Sequence, residues 1–460
     1  MYTRKMLTRL AVLAFVAFTT ACAPAAAPTS APPTSAAAAT APSAAQPTAP
    51  SGGGKITIVY LSMFSQGETY ADVLNKATQQ FMTDNPNINV VINWAGRNNL
   101  SKIQSLTAAG QQVDIVDQTE GSVYNAVVKT GLALPLDSYL ATPAYDQNKS
   151  WKDSFIPGTF DILTGTDGTI SMVPRDDFIS AIFYNAGMLN QMGIQPKTVG
   201  MTWDEFISML DTIRSKNPNV SPLGADGVID FYNAWWFQYL GTRLAGPDAF
   251  YNAAMDKTGQ AWSAPEFLQA ATMIKQLTDG NYFQKGYQGS TYPSQQVLWV
   301  NSKVAMSMNW ASLPAEMAPQ TPAGFTSDLF AFPDVPGGKG NDINEHRTNS
   351  YAVLKTTKNP DAVIKLLKYW TSQKVGQALV GLGSAVAVDG VAPPAPLKNQ
   401  LTVLQQGKSM RTGVGLERDA PEWQKNVFYV CDDQLFKAQI TPDAFITCME
   451  TSSANYWKTK

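Results

Sequence analysis

From residue 56 onward, short apolar runs alternate with amphipathic ones, and this alternation most limits the folds open to the chain. Residues 56–61 are a continuous apolar run of strand length. Tyr70, Val73, Leu74, Ala77 and Phe81 then recur at the spacing of one helix face, and Asn85-Pro86 ends that helix. Residues 88–94 read as a second strand. Leu100, Ile103 and Leu106 mark a second helix, stopped by Gly110, and residues 113–116 a third strand. A β-α-β-α-β succession requires a parallel sheet with right-handed crossovers. Such sheets place ligands beyond the C-terminal ends of their strands, here residues 62–66 and 117–120.

Further on, the chain becomes more helical. Thr202-Trp203-Asp204-Glu205 has the form of a capping box ahead of Phe206, Met209, Leu210 and Ile213. Ser263-Ala264-Pro265-Glu266 has the same form, with its helix ending at Gly280, and Asn359-Pro360 opens a helix with Val363, Leu366, Leu367 and Trp370 on one face. The region from Lys55 to Lys460 exceeds the ~250–300 residues beyond which single cores stop growing, so two domains are expected.

The first 54 residues are of another kind. Arg4, Lys5 and Arg9 precede an apolar stretch, residues 10–21, that is too short to span a bilayer, and Cys22 follows Thr19-Thr20-Ala21. Residues 1–21 are therefore expected to be a signal peptide, and the segment before Cys22 resembles the lipobox of bacterial lipoproteins. That resemblance implies a lipidated Cys22; plain secretion with a chance cysteine is the alternative. Residues 23–54 are Ala, Pro, Thr, Ser and Gly with no aromatic or large aliphatic side chain, a composition expected to stay disordered as a tether. Cys431 and Cys448 are the remaining cysteines, set about equally either side of a turn at Ile440-Thr441-Pro442 between two expected helices. An antiparallel helix pair would bring them level for a disulfide in an oxidising compartment; two buried thiols are the alternative.

Composition narrows the chemistry. Loss of the leader's three basic residues leaves an acidic excess with no basic block, against a nucleic-acid partner. The single histidine, His346, lies in the polar stretch Asn344-Glu345-His346-Arg347 and reads as a surface residue; one histidine cannot make HExxH zinc chemistry. No G-x-S-x-G, Walker loop or G-x-G-x-x-G occurs. A secreted lipoprotein glycosidase, needing only two carboxylates ~5–10 Å apart, is the competing enzyme class. A scaffold lipoprotein is a third.

Several segments carry a family resemblance in order: Gly110-Gln111-Gln112-Val113-Asp114-Ile115, Gly131-Leu132-Ala133-Leu134-Pro135-Leu136-Asp137, Val173-Pro174, Ile182-Phe183-Tyr184-Asn185, Thr202-Trp203-Asp204-Glu205-Phe206, Lys303-Val304-Ala305-Met306, Ser350-Tyr351-Ala352-Val353 and Lys358-Asn359-Pro360-Asp361-Ala362. The chain resembles the carbohydrate-type extracellular solute-binding proteins, family 1, that serve ABC importers. The resemblance spans roughly residues 56–379 and weakens over the last 80. It implies an α/β, two-lobed periplasmic-binding-protein-like fold of type II. The N-terminal lobe is expected to hold residues 55–176 and 310–348, the C-terminal lobe 177–309 and 349–460. Crossings between lobes are expected near residues 175–180, 309–311 and 348–350.

The function so implied is extracytoplasmic capture of a sugar, an oligosaccharide, by hinge closure and delivery to an ABC permease, without catalysis, cofactor or metal. The protein is expected as a monomer, periplasmic or on the outer face of the cytoplasmic membrane, and held there only by lipid. Glycerol phosphate or a polyol is the alternative ligand. A sugar site needs flat aromatic faces and planar amides or carboxylates. The ligand-binding candidates are Phe64 and Gln66 after the first strand, Gln118 and Glu120 after the third, and Asp177 at the first crossing, in an Arg175-Asp176-Asp177 run that reads equally as a surface hinge salt bridge. Trp310 stands at a crossing. Trp235 and Trp236 lie in an aromatic-rich run, and Ser384 in a loop that similar proteins place at the cleft; Arg411 is a weaker candidate. Trp370, Trp203 and Trp262 read as packing residues, and Trp151 has no clear role.

Overall fold

A computed structural model describes residues 55–460; the leader, Cys22 and the tether lie outside the described residues. The strands are β1 (Ile56–Ser62), β2 (Ile88–Trp94), β3 (Ile115–Thr119), β4 (Val173–Pro174), β5 (Phe178–Asn185), β6 (Ser221–Gly224), β7 (Val304–Trp310), β8 (Ser327–Phe330), β9 (Ile343–Arg347), β10 (Asn349–Val353) and β11 (Lys408–Arg411). They form two sheets, one ordered β2-β1-β3-β10-β4 and the other β11-β9-β5-β7-β6 with β8 paired to β5. As expected, β1 runs parallel to both β2 and β3.

Each sheet has its own core. The helix Thr69–Asp84 turns Ala71, Leu74 and Phe81 onto the first sheet, burying an apolar stripe at helical spacing. Trp151 and Trp370 join that core, their indole N–H groups donating to Thr371 Oγ1 at 3.0 Å and Thr78 Oγ1 at 3.1 Å, so neither ring leaves an unpaired buried donor. The second core is built around the helix Asp230–Ala245, buried on every face from Tyr232 to Ala245. A helix apolar all round belongs inside a large core, and this one accounts for most of the aromatic run: Trp236 and Phe237 are enclosed by Phe206, Phe283, Phe332, Phe250 and Phe445.

The Thr202–Glu205 capping box forms with both reciprocal bonds. The second one does not: Ser263 Oγ donates back to Gln260 O at 2.7 Å, and the helix Pro265–Asp279 begins without a side-chain cap. Its proline at the first turn needs no partner for an N–H it lacks.

Strand membership corrects the expected allocation of lobes. β8 and β9, within 310–348, lie in the second sheet, whereas β10 and the helices Pro360–Trp370 and Gln373–Val380 pack with the first. The chain therefore does not cross at 309–311. It crosses at 175–177, returns between β9 and β10, and passes over again after Val391, reaching the second body by Leu397. The first two crossings lie side by side: Arg175 N donates to Asn349 O at 2.8 Å, and Asp176 accepts from Asn349 N at 2.6 Å and Nδ2 at 2.7 Å.

Candidate functional site

Two of the expected surface features are buried at these crossings. The Arg175 guanidinium, 5% exposed, pairs with Asp117 and with Asp176 and lies 4.7 Å from the centre of the Phe64 ring and 4.9 Å from that of Tyr70. It is not a surface hinge bridge. Nor is His346 on the surface: it sits in β9, fully buried, with Nε2 on Asp177 and Nδ1 2.9 Å from Ser409 Oγ. The other Asp177 oxygen accepts from Gln400 Nε2 at 3.2 Å, so this carboxylate is taken up by protein.

The junction between the sheets gathers a different set. On the first-sheet side, Glu120 starts a helical turn after β3, and Tyr124 follows it. From the second-sheet side, Arg418 lies 4.3 Å over the Tyr124 ring, and Arg411 donates to Ile162 O at 3.0 Å and Thr164 O at 2.6 Å. Arg347 ends β9 at the crossing, its guanidinium 5.1 Å over the Trp310 ring. Trp310 meets Trp235 edge to face at 5.2 Å. Trp235 Nε1 donates to Glu345 Oε2 at 2.5 Å, which fixes the plane of that ring. The result is an aromatic wall with charged groups at its margins. Among the described residues, the buried Asn309 Nδ2 and Arg347 Nε have no hydrogen-bond partner, a costly state unless a ligand or solvent oxygen accepts from them.

Glu120 is the titrating element of this junction. Burial first, and then the Glu417 carboxylate, push it from 4.5 up to about 7, against the pull of Arg347 and His346. Below pH 4.5 this group is protonated folded and unfolded alike. Between 4.5 and about 7 the unfolded chain ionises while the folded one keeps its proton, so unfolding releases a proton. Stability of the unliganded protein should therefore fall by up to ~3 kcal/mol as pH rises through that window and level off above it. Glu120→Gln should flatten the slope, read as the difference between the two proteins' unfolding free energies from pH 4 to 8.

The structure thus places Glu120, Trp235 and Trp310 in or beside one junction. Gln118 is nearby but donates to Arg97 O at 2.9 Å. Phe64 is stacked on Tyr70 at 4.5 Å, and Gln66 is exposed on the same loop. Ser384, half-buried, follows Gly383, whose α-carbon faces Ala315 of the opposite body. Trp236 is core. Sequence reasoning missed Arg347, Tyr124, Asn309, Glu417, Arg418 and Glu345. Arg347 carried a signal, since it adjoins a crossing; the Glu417-Arg418 pair carried none. A concavity of about 570 Å³, lined by Asn185, Met188, Met192, Lys216 and Phe325, lies at the outer end of β5, apart from these groups.

Comparison with known proteins follows the same lines. The family model for bacterial extracellular solute-binding proteins matches residues 65–377. The multiple sugar-binding protein of Streptococcus mutans is 26% identical over 366 residues, covering 73% of this chain and 76% of that one. The solved bacterial solute receptor AcbH, described by its preference for β-D-galactopyranose, superposes with a TM-score of 0.70 at 21% identity, covering 88% of this chain and 98% of that one. A sugar transporter from Bacillus licheniformis in complex with stachyose does so with a TM-score of 0.59 at 19% identity, covering 86% and 99%. At such identities these two structures speak for the fold.

Proposed function

The chain belongs to the bacterial extracellular solute-binding protein family, and from that premise we propose that it captures a sugar, specifically an oligosaccharide, outside the cytoplasm and delivers it to an ABC importer without catalysing any reaction on it. One observation carries the choice of ligand: an aromatic wall, Trp235 and Trp310, stands beside the unpartnered donors Asn309 Nδ2 and Arg347 Nε and the carboxylates Glu120 and Glu417. Flat apolar faces next to planar donors and acceptors match the C–H faces and hydroxyl edges of a pyranose. The named ligands of the relatives, multiple sugars and stachyose, are of this class.

Binding would work through the crossings. A ligand that touches Glu120 on one side and Trp310 on the other contacts both bodies only when they are together, so it shifts an open–closed equilibrium toward closed. Phe64, Gln66, Gln118 and Ser384 border the same junction as secondary contacts in this reading. The protein acts as a monomer. A lipid on Cys22 and the tether that follows would keep it near the importer and raise its effective concentration there. The structure brings Cys431 and Cys448 together with Cα atoms 5.9 Å apart; a disulfide between them fits an oxidising extracytoplasmic compartment.

Ligand that binds only the folded state raises its melting temperature. Screening the protein against mono- and oligosaccharides, polyols and glycerol phosphates should give a clear upward shift with one sugar class. Trp310→Ala should keep the unliganded melting transition and lose most of that shift. No shift with any sugar defeats the proposal.

A further inference from the structure

The aromatic wall does not stop inside the junction. Phe231, in the first turn of the helix Asp230–Ala245, is 41% exposed although the helix is otherwise buried from the next residue on. Its ring meets Trp235 edge to face at 5.4 Å and Tyr232 at 4.4 Å. The rings of Trp310, Trp235 and Phe231 thus form a continuous ladder with steps of 5.2 and 5.4 Å that runs from the buried junction to open surface. Beside it, Val228 N donates to Ser290 O at 3.0 Å, which brings the loop carrying Tyr292 alongside; Tyr292 is 53% exposed. Glu316, exposed, lies close enough to perturb both Tyr232 and Tyr292.

Single exposed apolar residues need no explanation. Here an exposed phenylalanine continues a buried aromatic wall, and the packing of the helix does not require it. Its surroundings decide among occupants. An apolar helix of a protein partner would set its hydrophobic face against Asp230 and Glu316 and gain little. A saccharide would stack its C–H face on the ring and donate hydroxyls to those acids.

We infer that Phe231 and Tyr292 form an outer subsite for the distal units of a linear oligosaccharide whose inner units lie against Trp235 and Trp310. The inference rests on the sugar-binding reading above and adds chain length to it: the ligand is longer than the junction alone holds.

Isothermal titration with malto-, xylo- and raffinose-series sugars, from disaccharide to pentasaccharide, tests it. In the series that binds, wild-type affinity should rise with length. Phe231→Ala should lower affinity for the tetra- and pentasaccharide by about tenfold, the worth of one stacking contact, and leave the disaccharide unchanged. Tyr292→Ala should do the same to a smaller extent. Both side chains lie at the surface, so both variants should stay folded at the titration temperature, as a melting curve of each checks. Equal losses at every length, or no loss at any, would overturn the subsite while leaving sugar capture intact. A wild type that shows no thermal shift with any sugar and binds none of the three series would overturn the proposed function and the subsite together, and is seen before any variant is made.

Discussion

Arg175→Leu is expected to destabilise the protein by ~3–5 kcal/mol, because it leaves a fully buried carboxylate without its counter-charge. Asp117 has no exposure to solvent, and Met63 N donates to it at 2.8 Å. Burial already raises the Asp117 carboxyl, and the Arg175 guanidinium opposes that rise. Without Arg175 the group should bind a proton instead of holding a charge. The deficit should then shrink as pH falls and the unfolded chain's Asp117 is protonated too. Asp117→Asn should rescue Arg175→Leu in part, since the amide oxygen can still accept from Met63 N and carries no charge. Urea denaturation of the two single variants and the double variant measures the coupling. A pair that adds without coupling would mean that the guanidinium contributes mainly by packing between Phe64 and Tyr70.

The position of this pair makes the effect more than local. Arg175 and Asp176 lie on the crossing between β4 and β5, and Asp176 holds the second crossing through Asn349. Two strands joined side by side at a point where both leave one sheet can bend together. A destabilised Arg175 variant should accordingly also change the ligand-induced shift, not the melting temperature alone.

How much of this was legible in the sequence depended on the range of the interactions involved. The first three strands and their helix were readable because periodicity is local: β2 spans Ile88–Trp94 as expected, and the helix Thr69–Asp84 carries the stripe that its spacing implied. Capping at Thr202 was readable for the same reason, whereas Ser263 turned its hydroxyl back into the preceding turn, an alternative partner that a sequence pattern does not distinguish. Lobe allocation failed because β8, β9 and β10 are short strands of four or five residues, too short to show by themselves which sheet they join. Which sheet each joins is set by register with β5 or β3, far away in sequence. His346 and Asp177 show the same limit. Each looks polar and exposed in its own segment, yet they are hydrogen-bonded to one another in the interior across 169 residues. Trp310 was singled out for a crossing that does not occur there, and Trp235 for its aromatic-rich run; that the two touch was not legible.

Glu345 connects that aromatic pair to the rest of the junction, and Glu345→Gln is expected to weaken both stability and binding. The carboxylate is fully buried and accepts four hydrogen bonds: Oε2 from Ser180 Oγ at 2.8 Å and Trp235 Nε1 at 2.5 Å, Oε1 from Gln238 Nε2 at 3.2 Å and Gly413 N at 2.8 Å. An amide oxygen can serve only one pair of these donors, and its NH2 would face the other pair, of which the Ser180 hydroxyl alone can turn to accept. Leaving at least one buried donor unpaired should cost ~1–3 kcal/mol. The consequence for binding follows from what those donors hold. With the NH2 at the Oε2 position Trp235 loses the bond that sets its ring plane, and with it at the Oε1 position Gly413 N loses its acceptor. Gly413 belongs to a turn in which Gly413, Val414 and Gly415 all have positive φ, at 60°, 57° and 87°, so this backbone needs outside support to persist. The same turn separates Arg411 from Arg418, the two residues that reach across to Thr164 and Tyr124. Loosening it should lower ligand affinity by about tenfold, a loss of ~1.4 kcal/mol. Titration with the sugar identified in the melting screen, carried out well below the melting temperature of the variant, separates the two effects. Unchanged affinity beside a lowered melting temperature would make Glu345 a packing residue only. A loss in both would place it between the aromatic wall and the contacts that bring the two bodies together.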